Sequence, residues 1–418
     1  GTTAICSGSS NTLTVAGGSA GSGAIVQWFT GSCGGTSAGT GNSITVSPAT
    51  TTTYFVQYTG VCNTTTCASV TVTVNTPSTA PTGITGTTTI CSGASTTLTI
   101  AGGSAGTGAT AQWFTGSCGG TSAGTGNSIT VSPATTTTYF VRYGGTCNNT
   151  TCASATVTVN TLSTAPTGIT GTTTICSGAS TTLTVAGGSA GSGATVQWFT
   201  GSCGGTSAGT GNSITVSPAT TTTYFVQYTG ACNTTLCASA IVTVNSLSTA
   251  PTGITGTTTI CNGSSTTLTV AGGSAGSGAT VQWFTGSCGG TSAGTGNSIT
   301  VSPATTTIYF VQYTGVCNTT TCASATVTVN TLSTAPTGIT GTTTICSGSS
   351  TTLTVAGGSA GTGSTVQWFS GSCGGTSAGT GNSITVSPAT NTTYFVQYTG
   401  ACNTTTCASV VITVNTLK

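Results

Sequence analysis

The chain has 418 residues and contains no Asp, Glu or His; Arg142 and Lys418 are its only basic side chains. General acid–base catalysis draws chiefly on His, Asp, Glu, Lys, Tyr and Cys, so the composition argues against an enzyme, and it removes the carboxylate cages calcium prefers and any His- or carboxylate-based zinc site. A net charge of +2 gives no electrostatic footprint for nucleic acid or acidic lipid, and no run of about 18 apolar residues offers a membrane span; no cofactor, metal, nucleic-acid partner or membrane insertion is expected.

In chain order, period-two alternation bounded by Gly, Ser, Asn and Pro predicts strands. The first lie at residues 2–6 (TTAIC), 11–15 (NTLTV) and 24–30 (AIVQWFT). Others follow at 42–47 (NSITVS), 53–58 (TYFVQY) and 69–75 (SVTVTVN), with a weaker one in the Gly-rich stretch 34–41. β-branched Thr and Val dominate these segments, as pleated surfaces favour. Residues 75–86 (NTPSTAPTGITG) then form a Pro-containing joint, and the pattern starts again. Pro81, Pro166, Pro251 and Pro336 stiffen the joints, and apolar Ile84 and Ile90 favour limited bending.

The pattern recurs five times with a period of 85 residues, set by Cys6, Cys91, Cys176, Cys261 and Cys346 and by Trp28, Trp113, Trp198, Trp283 and Trp368. Solenoid units repeat every 20–50 residues; this period suits a small independent domain. The expected domains are 1–75, 76–160, 161–245, 246–330 and 331–418. Six or seven short strands per copy point to an all-β immunoglobulin-like sandwich. Trp28 sits on the third strand, where such sandwiches keep their core tryptophan, and Tyr54 resembles a tyrosine corner, with Val56 where a cysteine usually stands. The expected inward face is Leu13, Val15, Val26, Trp28, Ile44, Val46, Tyr54, Val56, Val70, Val72 and Val74, each worth about 1.5–3 kcal/mol when fully buried. Five such beads in line would make a rod on the order of 150–200 Å, from strand rise.

Twenty cysteines in five sets of four indicate disulfides and an oxidising, extracellular or cell-surface setting. The spacing C-x26-C-x28-C-x4-C does not resemble the two close pairs of a zinc ribbon. From the ends on which the strands place them, the pairs Cys6–Cys33 and Cys62–Cys67 are expected. Their copies involve Cys91, Cys118, Cys147 and Cys152; Cys176, Cys203, Cys232 and Cys237; Cys261, Cys288, Cys317 and Cys322; and Cys346, Cys373, Cys402 and Cys407. The opening GTTAIC matches the interior GTTTIC, so no signal peptide is expected, and the chain is read as a mature product or a segment of something longer.

The loop 17–23 (GGSAGSG) could suggest a phosphate cradle, but strand rather than helix follows it; it is read as a connection between sheets, and 33–42 as a turn. Asn63, Asn148, Asn149 and Asn391 match the N-glycosylation sequon by chance in a Thr-rich chain. With Trp28 and Val56 inward, Phe29 and Phe55 point outward on neighbouring strands. The copies of that pair are Phe114 and Phe140, Phe199 and Phe225, Phe284 and Phe310, and Phe369 and Phe395. They form either a recurrent stripe for lateral contact or a patch covered by a loop.

The segments TTTICSGSSTTLTV, QWFTGSCGGTSAGTGNSITVSP and TTTYFVQYTGVCNTTTCASVTVTV resemble the Ig-like domains arrayed in giant cell-surface proteins of Bacteroidetes, the gliding-motility adhesins and other type IX-secreted proteins. The resemblance spans all five copies. It implies an extracellular β-sandwich in an adhesive or filamentous surface protein and identifies no ligand. The chain departs from that family in its near-absence of charge, in the uniformity of its copies and in showing no C-terminal sorting domain. The leading expectation is a filament subunit or the repetitive stalk of an adhesin, self-associating because little charge keeps copies apart. The alternative is an array of carbohydrate-binding modules, with exposed aromatics stacking on surface glycans.

Overall fold

The computed structural model describes residues 3–416, and among them every regular element is a strand. By density of contacts the chain falls into two compact units: 1–170 with 184–214 and 224–240, and 171–183 with 215–223 and 241–418.

In the first unit, the opening repeat contains β1 (Ala4–Cys6), β2 (Asn11–Thr14), β3 (Ile25–Thr30), β4 (Thr36–Thr40), β5 (Ser43–Val46), β6 (Thr52–Thr59) and β7 (Ala68–Asn75). The second repeat adds β8 (Gly83–Thr85) and β9 (Thr89–Cys91), then β10 (Thr96–Ala101), β11 (Thr110–Thr115), β12 (Thr121–Thr125), β13 (Ser128–Val131), β14 (Thr137–Gly144) and β15 (Ala153–Asn160). One sheet has the order β9-β15-β14-β11-β12 and the other β8-β10-β13. β9 runs parallel to β15, with Cys91 opposite Asn160, while the remaining pairs are antiparallel. The leading segment therefore splits between the sheets, β8 joining one and β9 the other, as in immunoglobulin-like sandwiches. The same five- and three-stranded orders occur in the second unit, in the repeats that begin at Gly253 and Gly338.

The expected strands are present, the weak one as β4. The strand β8 was not expected. It is three residues long, sits between Pro81 and Gly86 in a segment whose punctuation marks a joint, and is held by pairing Ile84 with Ile100.

Between the sheets of the first repeat, Ile5, Leu13, Val26, Trp28, Ile44, Val46, Tyr54 and Val72 form the core, with Val15, Ala38, Val56, Tyr58, Val70 and Val74 packed at its margin. All the expected inward residues are among them. Trp113 in the second repeat is 0% exposed, and its Nε1–H donates to the Gly126 carbonyl at 2.8 Å, which gives the indole the polar partner it needs when buried. The outer faces carry hydroxyls where other proteins carry charges: Thr97 and Thr130 meet across strands at 3.0 Å, and Thr138 and Thr156 at 2.9 Å. Such pairs supply modest cross-strand stabilisation without ion pairs.

The lack of acids and histidines makes stability insensitive to mild acid. No side chain with an ordinary pKa between about 4 and 7 exists to bind protons differently in the folded and unfolded states. Burial raises the Tyr139 phenol above its usual value, as it does its counterparts Tyr54, Tyr309 and Tyr394. The folded chain then keeps a proton that the unfolded chain releases above about pH 10, so stability is intact below that point and falls as pH rises through the raised pKa. Urea midpoints at pH 4 and pH 7 are expected to coincide; a clear loss at pH 4 would contradict this account.

Candidate functional site: the joint between repeats

Cysteine pairing corrects the sequence expectation. Cys33 bonds Cys67 within the first repeat, and Cys6 bonds Cys147 of the second repeat. The within-repeat bridge recurs as Cys118–Cys152, Cys203–Cys237, Cys288–Cys322 and Cys373–Cys407. The cross-repeat bridge recurs as Cys91–Cys232, Cys176–Cys317 and Cys261–Cys402. Cys62 and Cys346 are free and exposed.

Sheet order explains why Cys6 does not reach Cys33. β1 and β3 are separated by β7 and β6, three strand spacings or about 14 Å, whereas disulfides need Cα atoms about 4.4–6.8 Å apart. Cys6 instead lies opposite Asn75, where β7 leaves the repeat. The turn after β3 folds back over the outer face, and the sulfurs of Cys33 and Cys67 lie 3.5 and 3.4 Å from Oε1 of Gln57. In the second repeat the corresponding turn brings Gly119 against the guanidinium of Arg142, which itself sits 5.1 Å over the Phe114 ring.

The same face carries the aromatic pairs. Phe29 and Phe55 do face each other on the outer side of the sheet. Phe29 is nevertheless buried at 9% exposure, as are Phe114, Phe199 and Phe284, while Phe369, Phe55, Phe140, Phe225, Phe310 and Phe395 are half-buried.

The polar residues concentrate at the joint. The Ser78 backbone N–H donates to Asn148 Oδ1 at 2.8 Å, and Asn148 Nδ2 donates to the Ser78 carbonyl at 2.9 Å. Ser78 Oγ accepts from the Gly106 amide, and Thr76 N–H donates to Thr107 Oγ1 at 3.0 Å. The asparagine clamp recurs at Ser163 with Asn233, Ser248 with Asn318 and Ser333 with Asn403. Asn148 follows Cys147 directly, so one loop tip both bonds the preceding repeat and grips the linker. The side-chain amide of Asn148 is thus engaged through both its oxygen and its nitrogen.

The Gly-rich loop belongs to the same joint. A Cβ on Gly103, whose φ is +69°, would stand 2.6 Å from the Ala80 carbonyl oxygen, and one on Gly106 would run into Thr76. These glycines let the loop lie flush against the linker, a role visible in the sequence only as a glycine cluster.

In the first repeat β2 and β5 form a two-stranded sheet. A groove of about 420 Å³ lies there, lined among others by Val15, Trp28, Val56, Tyr58 and Val70. Val56 and Tyr58 are half-buried, whereas Val141 is fully buried and Tyr143 nearly so. Asn63 is exposed, with no side-chain hydrogen bond among the described residues. No group of His, Cys, Asp or Glu suited to holding a metal occurs among the described residues, and no helix is long and apolar enough to cross a membrane.

A family model described as "Ig-like domain CHU_C associated" matches residues 1–76, 78–161, 164–245, 249–331 and 334–415. No curated protein matches the chain. Among solved structures, the chain is similar to Sidekick-1 immunoglobulin domains 1–5 at 12% identity and a TM-score of 0.31, covering 99% of this chain and 97% of that one. It is also similar to the I-band fragment I67–I69 of titin, at 12% identity and a TM-score of 0.41 over 60% of this chain and 99% of that one. A third is the ICAM-5 D1–D4 ectodomain fragment, at 13% identity and a TM-score of 0.39 over 81% and 100%.

Proposed function

The chain belongs to the CHU_C-associated Ig-like domain family, and from that premise we propose that it is an extracellular structural protein, a filament subunit or the repetitive stalk of a surface adhesin. The observation that carries this reading is the set of four bridges that tie each repeat to the next. A module whose task is to display an independent binding site gains nothing from being locked to its neighbour. A protein that must transmit tension or hold a fixed spacing does, and its bridges call for an oxidising setting. The chemistry fits: the polarity of the sheet faces comes from Thr and Ser hydroxyls.

Immunogold labelling of the producing cells tests the proposal. The label is expected on filaments or stalks outside the cell envelope. Label confined to the cell interior, or on freely diffusing protein with saccharide affinity, would overturn it.

A further inference from the structure

We infer that the Cys118–Cys152 bridge of the second repeat is a site of thiol exchange, where an external thiol forms a mixed disulfide faster than at the four equivalent bridges, and that the Arg142 guanidinium makes it so. The site goes beyond a structural role and depends on neither a filament nor a stalk.

The five within-repeat bridges hold the same place in their repeats and differ in the side chain beside them. In four repeats that side chain is a glutamine. The sulfurs of Cys33 and Cys67 lie 3.5 and 3.4 Å from Gln57 Oε1, and those of Cys203 and Cys237 each 3.4 Å from Gln227 Oε1. The sulfurs of Cys288 and Cys322 are each 3.4 Å from Gln312 Oε1, and those of Cys373 and Cys407 are 3.5 and 3.3 Å from Gln397 Oε1. An amide oxygen carries partial negative charge, so it opposes the charge a sulfur gains as the S–S bond breaks. Arg142 has the same register in the second repeat, opposite Gln112 as Gln57 is opposite Gln27. A cation thus stands where the other four bridges have an amide oxygen.

Neighbouring residues hold the guanidinium in place. In the first repeat Gln27 Oε1 accepts a hydrogen bond from Thr59 Oγ1 at 2.9 Å. The second repeat has Gly144 instead of that threonine, and Gln112 fills the space, since a Cβ on Gly144 would stand 2.7 Å from the Gln112 side chain. From there Gln112 Oε1 accepts from Arg142 Nε at 3.4 Å, and the guanidinium carbon sits 5.1 Å over the Phe114 ring. The two Nη groups lie 3.5 and 3.8 Å from where a Gly119 Cβ would stand, in the turn beside Cys118. The chain has no Asp or Glu to neutralise this charge. Cys118 is exposed and Cys152 half-buried, as their counterparts Cys33 and Cys67 are, so charge rather than access separates the bridges.

In the exchange, the thiolate of an external thiol attacks Cys118 Sγ and forms a new S–S bond. The Cys118–Cys152 bond breaks, and its electron pair leaves on Cys152 Sγ, which takes a proton from water. Nothing is oxidised or reduced overall; the disulfide passes from Cys152 to the incoming sulfur. The guanidinium attracts the anionic nucleophile and stabilises charge on the departing sulfur. A nearby cation favours thiolate over thiol, and a thiol that ionises more readily leaves faster.

The test exposes the oxidised full chain, its free thiols blocked beforehand, to glutathione for short times. Adducts and released thiols are then placed by fragmentation of peptic peptides. Asn149, Leu236 and the residues after each fourth cysteine distinguish the five copies. At low salt the Cys118–Cys152 bridge is expected to open roughly fivefold faster than the others, the order a unit charge at contact distance gives at an exposed site. The lead should shrink in about 1 M salt. Arg142→Gln installs the side chain four copies already hold and should bring the bridge down to their rate, whereas Arg142→Lys should keep most of the lead. Gln227→Arg with Thr229→Gly should raise Cys203–Cys237 in turn. Equal rates at all five bridges in the wild type would overturn the inference. So would a lead that survives Arg142→Gln, or Arg142→Lys as slow as Arg142→Gln, or no gain at Cys203–Cys237. These rates are independent of where the protein resides, which the immunogold experiment decides separately.

Discussion

Stretched by its ends in an optical trap, the oxidised chain is expected to extend to less than a third of the length that the reduced chain reaches. Each inter-repeat bridge joins residues 141 apart in sequence. At roughly 3.4 Å per extended residue, one such bridge acting alone withholds about 480 Å of contour, and because the loops overlap their effects do not add. With every repeat unfolded and every bridge intact, tension can follow Thr3 to Cys6, cross to Cys147, run to Cys176, cross to Cys317 and continue to Thr416. The Cys288–Cys322 and Cys261–Cys402 bridges shorten the last stretch again. Reductant removes these short cuts and restores the full backbone as the load path. The thermodynamic counterpart is large too: in the chain-entropy model a loop of about 100 residues or more contributes up to roughly 5 kcal/mol, so reductant should also lower the unfolding midpoint strongly. Equal final extensions with and without reductant would mean that no bridge shortens the load path and would refute the observed pairing.

The pairing also marks where sequence reasoning stops. Strand positions, the core around Trp28 and the outward placement of Phe29 and Phe55 follow from alternation along a single strand, a property local enough to read directly. The 85-residue period fixes the number of copies for the same reason. Disulfide partners depend on which strands are neighbours. Placing Cys6 and Cys33 at one pole was compatible with a sandwich but ignored that β1 and β3 lie three strands apart in one sheet. Repetition made the error easy, because a pattern that recurs perfectly looks self-contained, and a bond from one copy to the next recurs with the same period as a bond within it. One signal was available. Asn follows the third cysteine of every copy, at Asn63, Asn148, Asn233, Asn318 and Asn403, and an amide repeated at the same loop tip in a chain whose polar residues are mostly Thr and Ser suggests that something is held there. The linker's Ile84 carried a similar hint, since an apolar residue at a fixed place in a joint must be buried against one neighbour. The glycine loop gave no such hint, because close backbone approach leaves no trace in residue type beyond the glycine itself.

Replacing Trp113 with Ala is expected to destabilise the second repeat by about 3–5 kcal/mol, in the range found for large aromatic truncations in packed cores. The indole is 0% exposed and packs with Leu98, Ile129 and Val141, which come from both sheets. Collapse into the space it leaves is opposed on two sides. β12 is held to β11 by antiparallel pairing on either side of Trp113, and Cys118–Cys152 pins the turn beyond. The Gly126 carbonyl would also lose its partner, adding about 1–3 kcal/mol if water cannot reach it. Trp113→Phe keeps most of the volume and loses the N–H, so it should cost distinctly less. Hydrogen exchange resolved by peptide can follow the effect, because Ala111, Arg142 and Gly144 distinguish this repeat from its copies. Protection should fall across β10 to β15 and stay unchanged in residues 249–415, where separate cores surround Trp283 and Trp368. Loss of protection in those distant repeats to the same degree would show that the copies fold as one cooperative body; no loss anywhere would show that the tryptophan is not the keystone of its core.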